Sequence, residues 1–411
     1  GGKENEQKTI QDYRFKIRSG IWQKLKSLKT LKHGRRPLAT LCCSRSWIYK
    51  SGCIRLAQFR FAIYLETIIR LHLILTGFVI KGAKAPAMKN NLEYAILNLE
   101  SARILGGLWG AIIGDALGVP VEFMSREEVR RNPVTGMRGY GTFNLPPGSW
   151  SDDSSLILCT VESLLDGFDT TSMGELFIRW LTEGHWTPHG NTFDVGASTM
   201  SSIGRMMREV SPEEAGGRGE NENGNGSLMR ILPIGIFFSR KPVEERLNYV
   251  HRASSLTHRH PRTLMACGVY CLMVSALLQG FTPDEAYLYA LEQAAIYYAK
   301  LPYAEELPHF ERLFSTLISS VSETNIKSGG YVIHTLEASI WCLLNTSSFQ
   351  DAVLKAVNLG EDTDTTGCVT GGLAGLYYGL EAVPKEWIYA LARKDDIGNL
   401  FKRLTSKITE A

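Results

Sequence analysis

The 411-residue chain lacks several patterns that mark familiar protein classes. Its eight cysteines form no CxxC pair and no zinc-ligand spacing, and in a chain this long they do not indicate a disulfide scaffold. The alternating apolar and polar residues of a β-fold are almost absent, and so is the strand–helix alternation of a Rossmann fold. These absences argue against a disulfide-rich secreted domain and a zinc module, and they favour a cytoplasmic protein.

Charge is distributed unevenly along the chain. Residues 1–87 contain 18 Lys and Arg against 4 Asp and Glu, whereas residues 88–411 contain 27 against 38. The two parts therefore carry net charges of +14 and −11. We consider them separately, because a whole-chain isoelectric point describes neither part.

The basic extension, residues 1–87, contains no nucleic-acid-binding signature. Its long apolar run, residues 61–80, is interrupted by Glu66, Arg70 and His72. A spanning helix needs about 20 mostly apolar residues and tolerates charge poorly, so we expect neither nucleic acid nor membrane as a partner. The extension is interpreted as a leader that is not native, as an arm that binds a partner, or as an amphipathic surface helix. We favour the leader and expect no chemistry in this segment.

From Met88 onward, apolar residues recur with helical spacing in one segment after another. The predicted helices span residues 101–118, 154–168, 173–183, 195–209, 227–238, 243–255, 262–280, 283–299, 305–323, 332–344, 349–357, 365–380 and 386–393. Residues 101–118 are apolar and rich in small residues, which indicates a buried helix with close neighbours. We therefore predict an all-α single domain over residues 88–411.

Two loop–helix junctions carry more carboxylates than a helix start needs. One junction is residues 151–154, Ser-Asp-Asp-Ser, and the other is residues 361–365, Glu-Asp-Thr-Asp-Thr. N-capping explains either junction alone, because Asp and Ser favour helix N-termini. If the fold brings the junctions together, however, their carboxylates repel one another unless cations are present. Carboxylate and hydroxyl oxygens are ligands of Mg²⁺ and Mn²⁺, so we predict a centre with two divalent cations.

Five motifs resemble, in their order, those of the ADP-ribosylglycohydrolase family. They are GDALGVPVEF at 114–123, WSDDS at 150–154, FDVG at 193–196, GNGSLMR at 224–230 and DTDTTG at 362–367. The resemblance runs from about residue 92 to residue 380 or beyond and excludes the basic extension. It implies an all-α orthogonal helical bundle with a binuclear magnesium or manganese site. It also implies hydrolysis of the bond between ADP-ribose and a modified side chain.

The family motifs imply roles for individual residues. The implied metal ligands are Ser151, Asp152, Asp153, Asp362, Asp364 and Thr365. Asp364 would bridge the two cations. Asp194 would act as general acid or base. The implied catalytic set also includes Asp153 and Glu122. Glu122 would touch the second cation or gate the substrate. The family usually has a small residue where this chain has Glu361, which leaves a fifth carboxylate without a role.

The glycine-rich segment Gly224-Asn225-Gly226-Ser227 leads into a predicted helix that contains Arg230. Glycines allow the backbone to approach a ligand closely, and a helix N-terminus attracts anions. We therefore interpret the segment as a diphosphate cradle, with a flexible linker as the alternative. Arg230 would meet a phosphate or pair with an acid.

Two further residues are candidates for substrate binding. His258 matches a family position close to the cleft, although a packing or capping role explains it nearly as well. Tyr140 lies on a glycine-containing loop that resembles a mobile loop over the substrate, where Tyr140 or Phe143 would stack on adenine.

Three functions remain open at this point. The first is removal of ADP-ribose from a modified protein, through an arginine, serine or other linkage. The second is hydrolysis of a small ADP-ribose derivative. The third is an immunity-type binding protein that blocks an ADP-ribosylating toxin through the basic extension. The intact acids at both junctions favour catalysis, since a purely structural descendant would be expected to lose them.

Overall fold

The computed structural model describes residues 85–410, with side chains from residue 96 onward. The described residues form sixteen α-helices joined by loops and short 3-10 turns, and they contain isolated β-bridges but no β-strand. The all-α prediction is therefore confirmed. Except for its last three positions, the basic extension lies outside the described residues, so its three interpretations stay predictions. The domain boundary after residue 87 also stays a prediction.

The helices are numbered in chain order. They are α1 Ala85–Gly118, α2 Arg126–Arg131, α3 Asp152–Leu164, α4 Thr170–Glu183, α5 Ala197–Met206, α6 Pro212–Ala215, α7 Leu232–Phe237, α8 Val243–Ser255, α9 Pro261–Leu278, α10 Pro283–Tyr297, α11 Glu311–Ser315, α12 Val332–Leu344, α13 Phe349–Val357, α14 Thr363–Tyr378, α15 Lys385–Ala390 and α16 Lys394–Thr409. Most of the predicted helices are present within a few residues of the expected bounds.

The core contains helices that are apolar on all sides. Two segments, Ile96–Val121 and Pro261–Leu278, are long and apolar enough to cross a membrane by length and composition. However, 94% and 89% of their apolar windows are buried inside the structure. A helix that is apolar all round is buried in the core of a large domain, which is the position of both segments here.

Helices α1 and α14 touch backbone to backbone through glycines spaced four residues apart. A Cβ built on Gly114 would lie 2.0 Å from the carbonyl oxygen of Gly367, and one on Gly371 would lie 2.0 Å from that of Gly110. Such distances leave no space for any side chain. The expected close neighbour of residues 101–118 is therefore α14, and the contact places the C-terminal end of α1 beside the start of α14.

Three predicted helices differ from the structure. The first, predicted over residues 101–118, already begins at Ala85 as α1, and proline explains the other two differences. The segment 227–238 is helical only from Leu232, because Pro233 stands in the first turn, where proline fits best. The segment 305–323 is not one helix. It is divided into a 3-10 stretch that contains Pro308, the short helix α11 and further 3-10 turns.

Candidate active site

The first acidic junction is the N-terminus of α3, and Asp115 of α1 holds it in place. Ser151 is the N-cap, and its hydroxyl accepts a hydrogen bond from the Asp153 amide at 3.3 Å. The fully buried Asp115 accepts hydrogen bonds from the amides of Ser151 and Ser154, each at 3.0 Å, and from the Ser154 hydroxyl. Asp115 has no role among the sequence predictions, because an acid inside an apolar helix does not reveal which distant amides it will meet.

The second acidic junction is the N-terminus of α14. Asp362 is its N-cap residue, and the Asp364 carboxylate accepts a hydrogen bond from the Thr365 amide at 2.8 Å. Thr365 also donates through its hydroxyl to Asp153 at 3.3 Å, across 212 residues of chain. The two junctions therefore meet, as the sequence predicted.

Two further carboxylates from the predicted set join the cluster. One carboxylate oxygen from each of Glu122, Asp194 and Asp364 lies within 4.8 Å of the other two. Glu122 follows the 3-10 turn at the end of α1, and Asp194 lies on the loop before α5 with a positive φ of 53°. Three separate chain segments thus contribute to one acidic surface.

Burial is the main cause that raises the pKa of the clustered carboxyl groups Glu122, Asp152, Asp153, Asp194, Asp362 and Asp364. Repulsion from Asp362 and Asp194 raises the pKa of Asp364 further. A hydrogen bond from the Asn225 amide opposes the rise for Asp362. The cluster therefore resists holding several negative charges unless positive charge is brought to it.

Several oxygens in the cluster are available to a cation. Among the described residues, Asp153 Oδ2, Asp362 Oδ1 and Glu122 Oε2 are buried acceptors without a hydrogen-bond donor. A buried acceptor without a partner is costly, and native proteins seldom leave one unsatisfied. The set consists of hard carboxylate and hydroxyl oxygens, which Mg²⁺ and Mn²⁺ prefer. The residues present therefore fit divalent cations.

The segment 224–227 forms part of the wall of the site, although no helix begins there. The Asn225 side chain donates to Asp362 Oδ2 at 2.9 Å, and its backbone amide donates to the Gly330 carbonyl at 3.0 Å. Ser227 is fully buried and accepts a hydrogen bond from Ser254 at 2.8 Å. The expectation of an anion-binding helix N-terminus is therefore wrong, because α7 starts at Leu232, after the segment.

Gly224 and Gly226 leave room for the ring of His258. A Cβ on Gly226 would lie 2.7 Å from His258 Cε1, and one on Gly224 would lie 3.5 Å from its Nε2. His258 is buried and bonds through Nδ1 to the Thr257 hydroxyl at 3.0 Å. Burial lowers the pKa of His258 to about 3, so the ring is neutral near pH 7.

Arg230 lies behind this wall instead of facing a ligand. It is fully buried, its guanidinium stands 4.7 Å from the centroid of the Phe177 ring, and it donates to the Thr257 hydroxyl at 2.7 Å. The expectation that Arg230 meets a phosphate or pairs with an acid is corrected by this placement. Arg230 instead supports Thr257, which in turn bonds to His258.

Tyr140 lies on an exposed loop that packs against the end of α1. Its side chain is 69% exposed, its φ is 58°, and its amide donates to the Leu145 carbonyl at 2.7 Å. In the same loop, Thr142 donates through its hydroxyl to the Glu122 carbonyl at 2.7 Å. The loop is therefore attached to the backbone of a residue in the acidic cluster.

Glu361 contributes to the structure of the site through its backbone. Its φ of 65° lies in the left-handed region, and it exchanges two hydrogen bonds of 2.7 Å, from the Phe123 amide to its carbonyl and from its amide to the Met124 carbonyl. The side chain itself is exposed. Glu361 thus links the segment that carries Glu122 to the start of α14.

A second group of ionisable residues lies outside this cluster. His260 Nε2 is 3.5 Å from Glu220 and 4.0 Å from Glu306, a spacing that a metal ion could use. Arg262 already lies 2.7 Å from a carboxylate oxygen of each glutamate. The group is therefore explained as an ion-pair network between the loop of Glu220 and the start of α9.

Known proteins similar to this chain show its family. Residues 97–411 match the ADP-ribosylglycohydrolase family. The chain belongs to this family. An ADP-ribosylglycohydrolase is a hydrolase of glycosidic bonds, so the acidic cluster lies in an enzyme of that class.

Individual relatives and solved structures agree with the family. The chain is 32% identical over 309 residues to the ADP-ribosylarginine hydrolase Tri1 of Serratia proteamaculans, covering 73% of this chain and 78% of that protein. It is 29% identical to the ADP-ribosyl-[dinitrogen reductase] glycohydrolase of Rhodospirillum rubrum, covering 71% and 91%. A solved ADP-ribosylglycohydrolase-related protein complex matches with a TM-score of 0.64 and 32% identity, covering 76% of this chain and 99% of its own. The all-α architecture is thus that of the family.

Proposed function

We propose that this chain removes ADP-ribose from a modified protein side chain. The observation that carries the proposal is the meeting of two acidic junctions, about 210 residues apart in sequence, in one buried cluster with unpartnered oxygens. The names of two relatives support it, since one is a hydrolase of ADP-ribosylarginine and the other acts on ADP-ribosylated dinitrogen reductase. In the reaction, the bond between the anomeric carbon and the modified side chain breaks, and water supplies a hydroxyl to that carbon and a proton to the leaving group.

Two divalent cations, Mg²⁺ or Mn²⁺, fit this cluster as cofactors. The residues that would hold them are Ser151, Asp152, Asp153, Asp362, Asp364 and Thr365. When bound, such cations polarise ribose hydroxyls and lower the pKa of water. Asp115 anchors the start of α3 through the amides of Ser151 and Ser154, and Asn225 orients Asp362 by its hydrogen bond at 2.9 Å.

Asp194 is assigned to proton transfer at the scissile bond. Unlike Asp153 and Asp364 it is partly exposed, which suits a group that meets a substrate entering from solvent. Hydrolysis of a glycosidic bond needs a group that gives a proton to the leaving atom or takes one from water. Glu122, within 4.8 Å of Asp194, would share this surface and help to orient the substrate.

The wall made by Gly224, Asn225 and Gly226 is assigned to the ADP-ribose. Glycines allow the backbone to come close to a ligand. The neutral Nε2 of His258 lies behind Gly224 and Gly226, where it supports the wall. Tyr140 would cover the bound substrate from the opposite loop.

The test uses the full chain with defined arginine-linked and serine-linked ADP-ribosyl peptides and a small ADP-ribose derivative, in the presence of a chelator, Mg²⁺ or Mn²⁺. Release of ADP-ribose and binding of each compound are both measured. We expect cation-dependent release of ADP-ribose, and we expect Asp362→Asn to abolish it. The matched control is Asp395→Asn, because Asp395 is an exposed aspartate on α16 with a side chain 87% accessible. Release only from a small ADP-ribose derivative would replace the proposed substrate. If the chain binds these compounds but releases ADP-ribose from none of them under any condition, the immunity-type binding protein is favoured.

A further inference from the structure

A buried chain of hydrogen bonds runs from Arg230 through Thr257 to His258. Arg230 Nη2 donates to the Thr257 hydroxyl at 2.7 Å, and the same hydroxyl lies 3.0 Å from His258 Nδ1. Arg230 and Thr257 are fully buried, and His258 is 2% exposed. Because solvent hardly reaches these groups, they have to satisfy one another, and the direction of one hydrogen bond determines the direction of the next.

Arg230 sets the direction of this chain. A guanidinium has N–H donors and no acceptor, so the Thr257 hydroxyl must accept from it. Among the described residues, His258 Nδ1 is the only other hydrogen-bond partner of that hydroxyl. If the hydroxyl accepted from both neighbours, its own proton would be buried without a partner, which is costly. The Thr257 hydroxyl therefore donates to Nδ1, and Nδ1 is the acceptor.

An accepting Nδ1 determines the state of the other ring nitrogen. Burial and the nearby Arg230 charge lower the pKa of His258 to about 3, so the ring is neutral near pH 7. A neutral imidazole carries one proton, and with Nδ1 accepting, that proton is on Nε2. His258 Nε2 is therefore a hydrogen-bond donor.

His258 Nε2 lies against the wall of the site. A Cβ on Gly224 would lie 3.5 Å from Nε2, and one on Gly226 would lie 3.4 Å from it. Within the described part of the chain, the hydrogen bond of the His258 ring is the one at Nδ1, and no residue accepts from Nε2. Asn225, between the two glycines, donates to Asp362 of the acidic cluster at 2.9 Å. A buried donor without an acceptor is costly, so an acceptor oxygen of a ligand at this wall would satisfy Nε2.

Packing alone does not explain an arginine at position 230. Its Nε and Nη1 atoms are buried without a hydrogen-bond partner, and burial lowers its pKa to about 10. None of the acidic residues that the structure describes forms an ion pair with it. A buried charge without a counter-charge destabilises a fold, and an apolar side chain of similar size is often better tolerated. The arginine at this position therefore indicates a role that an apolar residue would not fill.

We propose that Arg230 and Thr257 are positioning residues that keep the proton of His258 on Nε2. The ring then presents a fixed hydrogen-bond donor at the wall of the site. Because its outer nitrogen already holds a proton, His258 is also unsuited to act as a general base. The tautomer does not depend on the proposed function, whereas the use of this donor by ADP-ribose rests on it.

The first experiment determines the tautomer of His258 by ¹⁵N NMR of the histidine-labelled full chain with Mg²⁺ and without ADP-ribose. Protonated and unprotonated ring nitrogens differ in ¹⁵N shift, and His258→Gln identifies the signals. We expect the proton on Nε2 in the wild type, and a proton on Nδ1 would overturn the proposal. Thr257→Val, which lacks the hydroxyl, should give a mixture of both tautomers, and Thr257→Ser, which keeps the hydroxyl, should restore the single form. An unchanged tautomer in Thr257→Val would also overturn it.

The second experiment measures ADP-ribose binding by calorimetry and melting temperature, both with Mg²⁺. Arg230→Met should melt at the wild-type temperature or higher, because it removes an unpaired buried charge. It should nevertheless bind ADP-ribose about tenfold more weakly, as should Thr257→Val, because the donor at Nε2 is no longer fixed. The matched control is Thr405→Val, because Thr405 is buried in α16 and its hydroxyl has no hydrogen-bond partner among the described residues. It should bind within about twofold of the wild type.

The outcomes separate this inference from the proposed function. Wild-type affinity in both Arg230→Met and Thr257→Val would overturn the inference. Binding that weakens only together with the melting temperature, while the tautomer stays unchanged, would show a structural role and would overturn it as well. A wild type that binds no ADP-ribose would contradict the proposed function, and the NMR result would still decide the tautomer.

Discussion

Asp364 and Asp194 occupy different positions in the acidic cluster. Asp364 is buried at the first turn of α14, where it bonds to the Thr365 amide and is repelled by Asp362 and Asp194. Asp194 is partly exposed on the loop before α5. Loss of the Asp364 carboxylate should therefore disturb the whole proposed cation site. Loss of the Asp194 carboxylate should affect proton transfer alone.

Asp364→Asn should reduce hydrolysis more than Asp194→Asn, with the fold intact in both. Losing a positioned acid or base costs about 10²–10⁴ in rate. Weaker binding of the two proposed cations would remove both the polarisation of the ribose hydroxyls and the activation of water. The measurement is turnover on an ADP-ribosyl peptide, with circular dichroism as the check on folding. An Asp364→Asn enzyme with near-normal turnover would contradict the binuclear arrangement.

Without metal, the free energy of unfolding should fall as pH rises from about 4, the ordinary carboxyl pKa, through about 6, the raised pKa of Asp115. Burial raises the pKa of these carboxyls, to about 6 for Asp115 and well above the usual value for Asp153 and Asp364. The folded state therefore holds protons that the unfolded state has released, and this stabilisation is lost as pH passes the folded-state pKa. A tenfold difference in proton affinity between the two states corresponds to about 1.4 kcal/mol. Melting temperatures across this range, with chelator, Mg²⁺ or Mn²⁺, test the expectation.

Added cation should restore the melting temperature of the wild type at the higher pH. Asp364→Asn should melt higher than the wild type in chelator, because it relieves repulsion, and should respond less to cation. A wild-type melting temperature that ignores both cations would count against metal binding by this cluster.

At the scale of helices, the glycine contact between α1 and α14 determines where the acidic residues meet. Gly106, Gly110 and Gly114 of α1 face Gly375, Gly371 and Gly367 of α14, and Gly118 lies against the Asp364 backbone. The same pair of helices carries Asp115 and Asp364. The distance between Asp115 and Asp364 therefore depends on the absence of side chains along the contact between α1 and α14.

Gly371→Ala should destabilise the protein by about 3 kcal/mol and lower its activity. The new Cβ would lie 2.0 Å from the Gly110 carbonyl, so the helices must separate, and overpacking of a core usually costs about 1–3 kcal/mol or somewhat more. Gly398→Ala in α16 is the matched control. Its Cβ would meet the Trp109 ring at an ordinary 3.6 Å, so a gain of about 0.5–1 kcal/mol is expected from helix propensity. Urea denaturation of both variants measures the difference.

The sequence predicted elements better than it predicted their ends. The apolar helix α9 and the capped start of α10 were evident, and the Thr282 cap is present as a full capping box. Helix α16 was missed, although Ile397, Leu400 and Phe401 recur at helical spacing and are buried. That signal was available in the sequence.

The predicted site residues fall into two groups. Asp153, Asp362 and their neighbours were identified because excess charge at a helix start is visible in a sequence. The buried position of Arg230 was not predicted, since an arginine between apolar residues fits a cleft or a core equally well. The contacts of Asp115 with Ser151 and Ser154 depend on how α1 packs against α3, which local sequence does not specify.

For the whole molecule, a chain beginning at Met88 should fold and keep its turnover. The family match starts at residue 97, and every residue of the acidic cluster lies after it. The cut removes three residues from the start of α1, Ala85–Gly118. Expression of the shortened chain, with turnover and melting temperature compared with the full chain, is the measurement. An insoluble or inactive product would make the basic extension part of the fold.

The glycine contact also limits how the chain can change in length. One inserted residue turns the rest of an α-helix by about 100°, which would bring branched or bulky side chains to the positions of the glycines. Insertions and deletions are therefore excluded between Gly106 and Gly118 and between Gly367 and Gly375, where the contacts repeat every four residues. The segment 298–331, which joins α10 to α12 through α11 and 3-10 turns, has no backbone-to-backbone helix contact of this kind. Homologous chains that differ in length should thus differ between these helices and not within them.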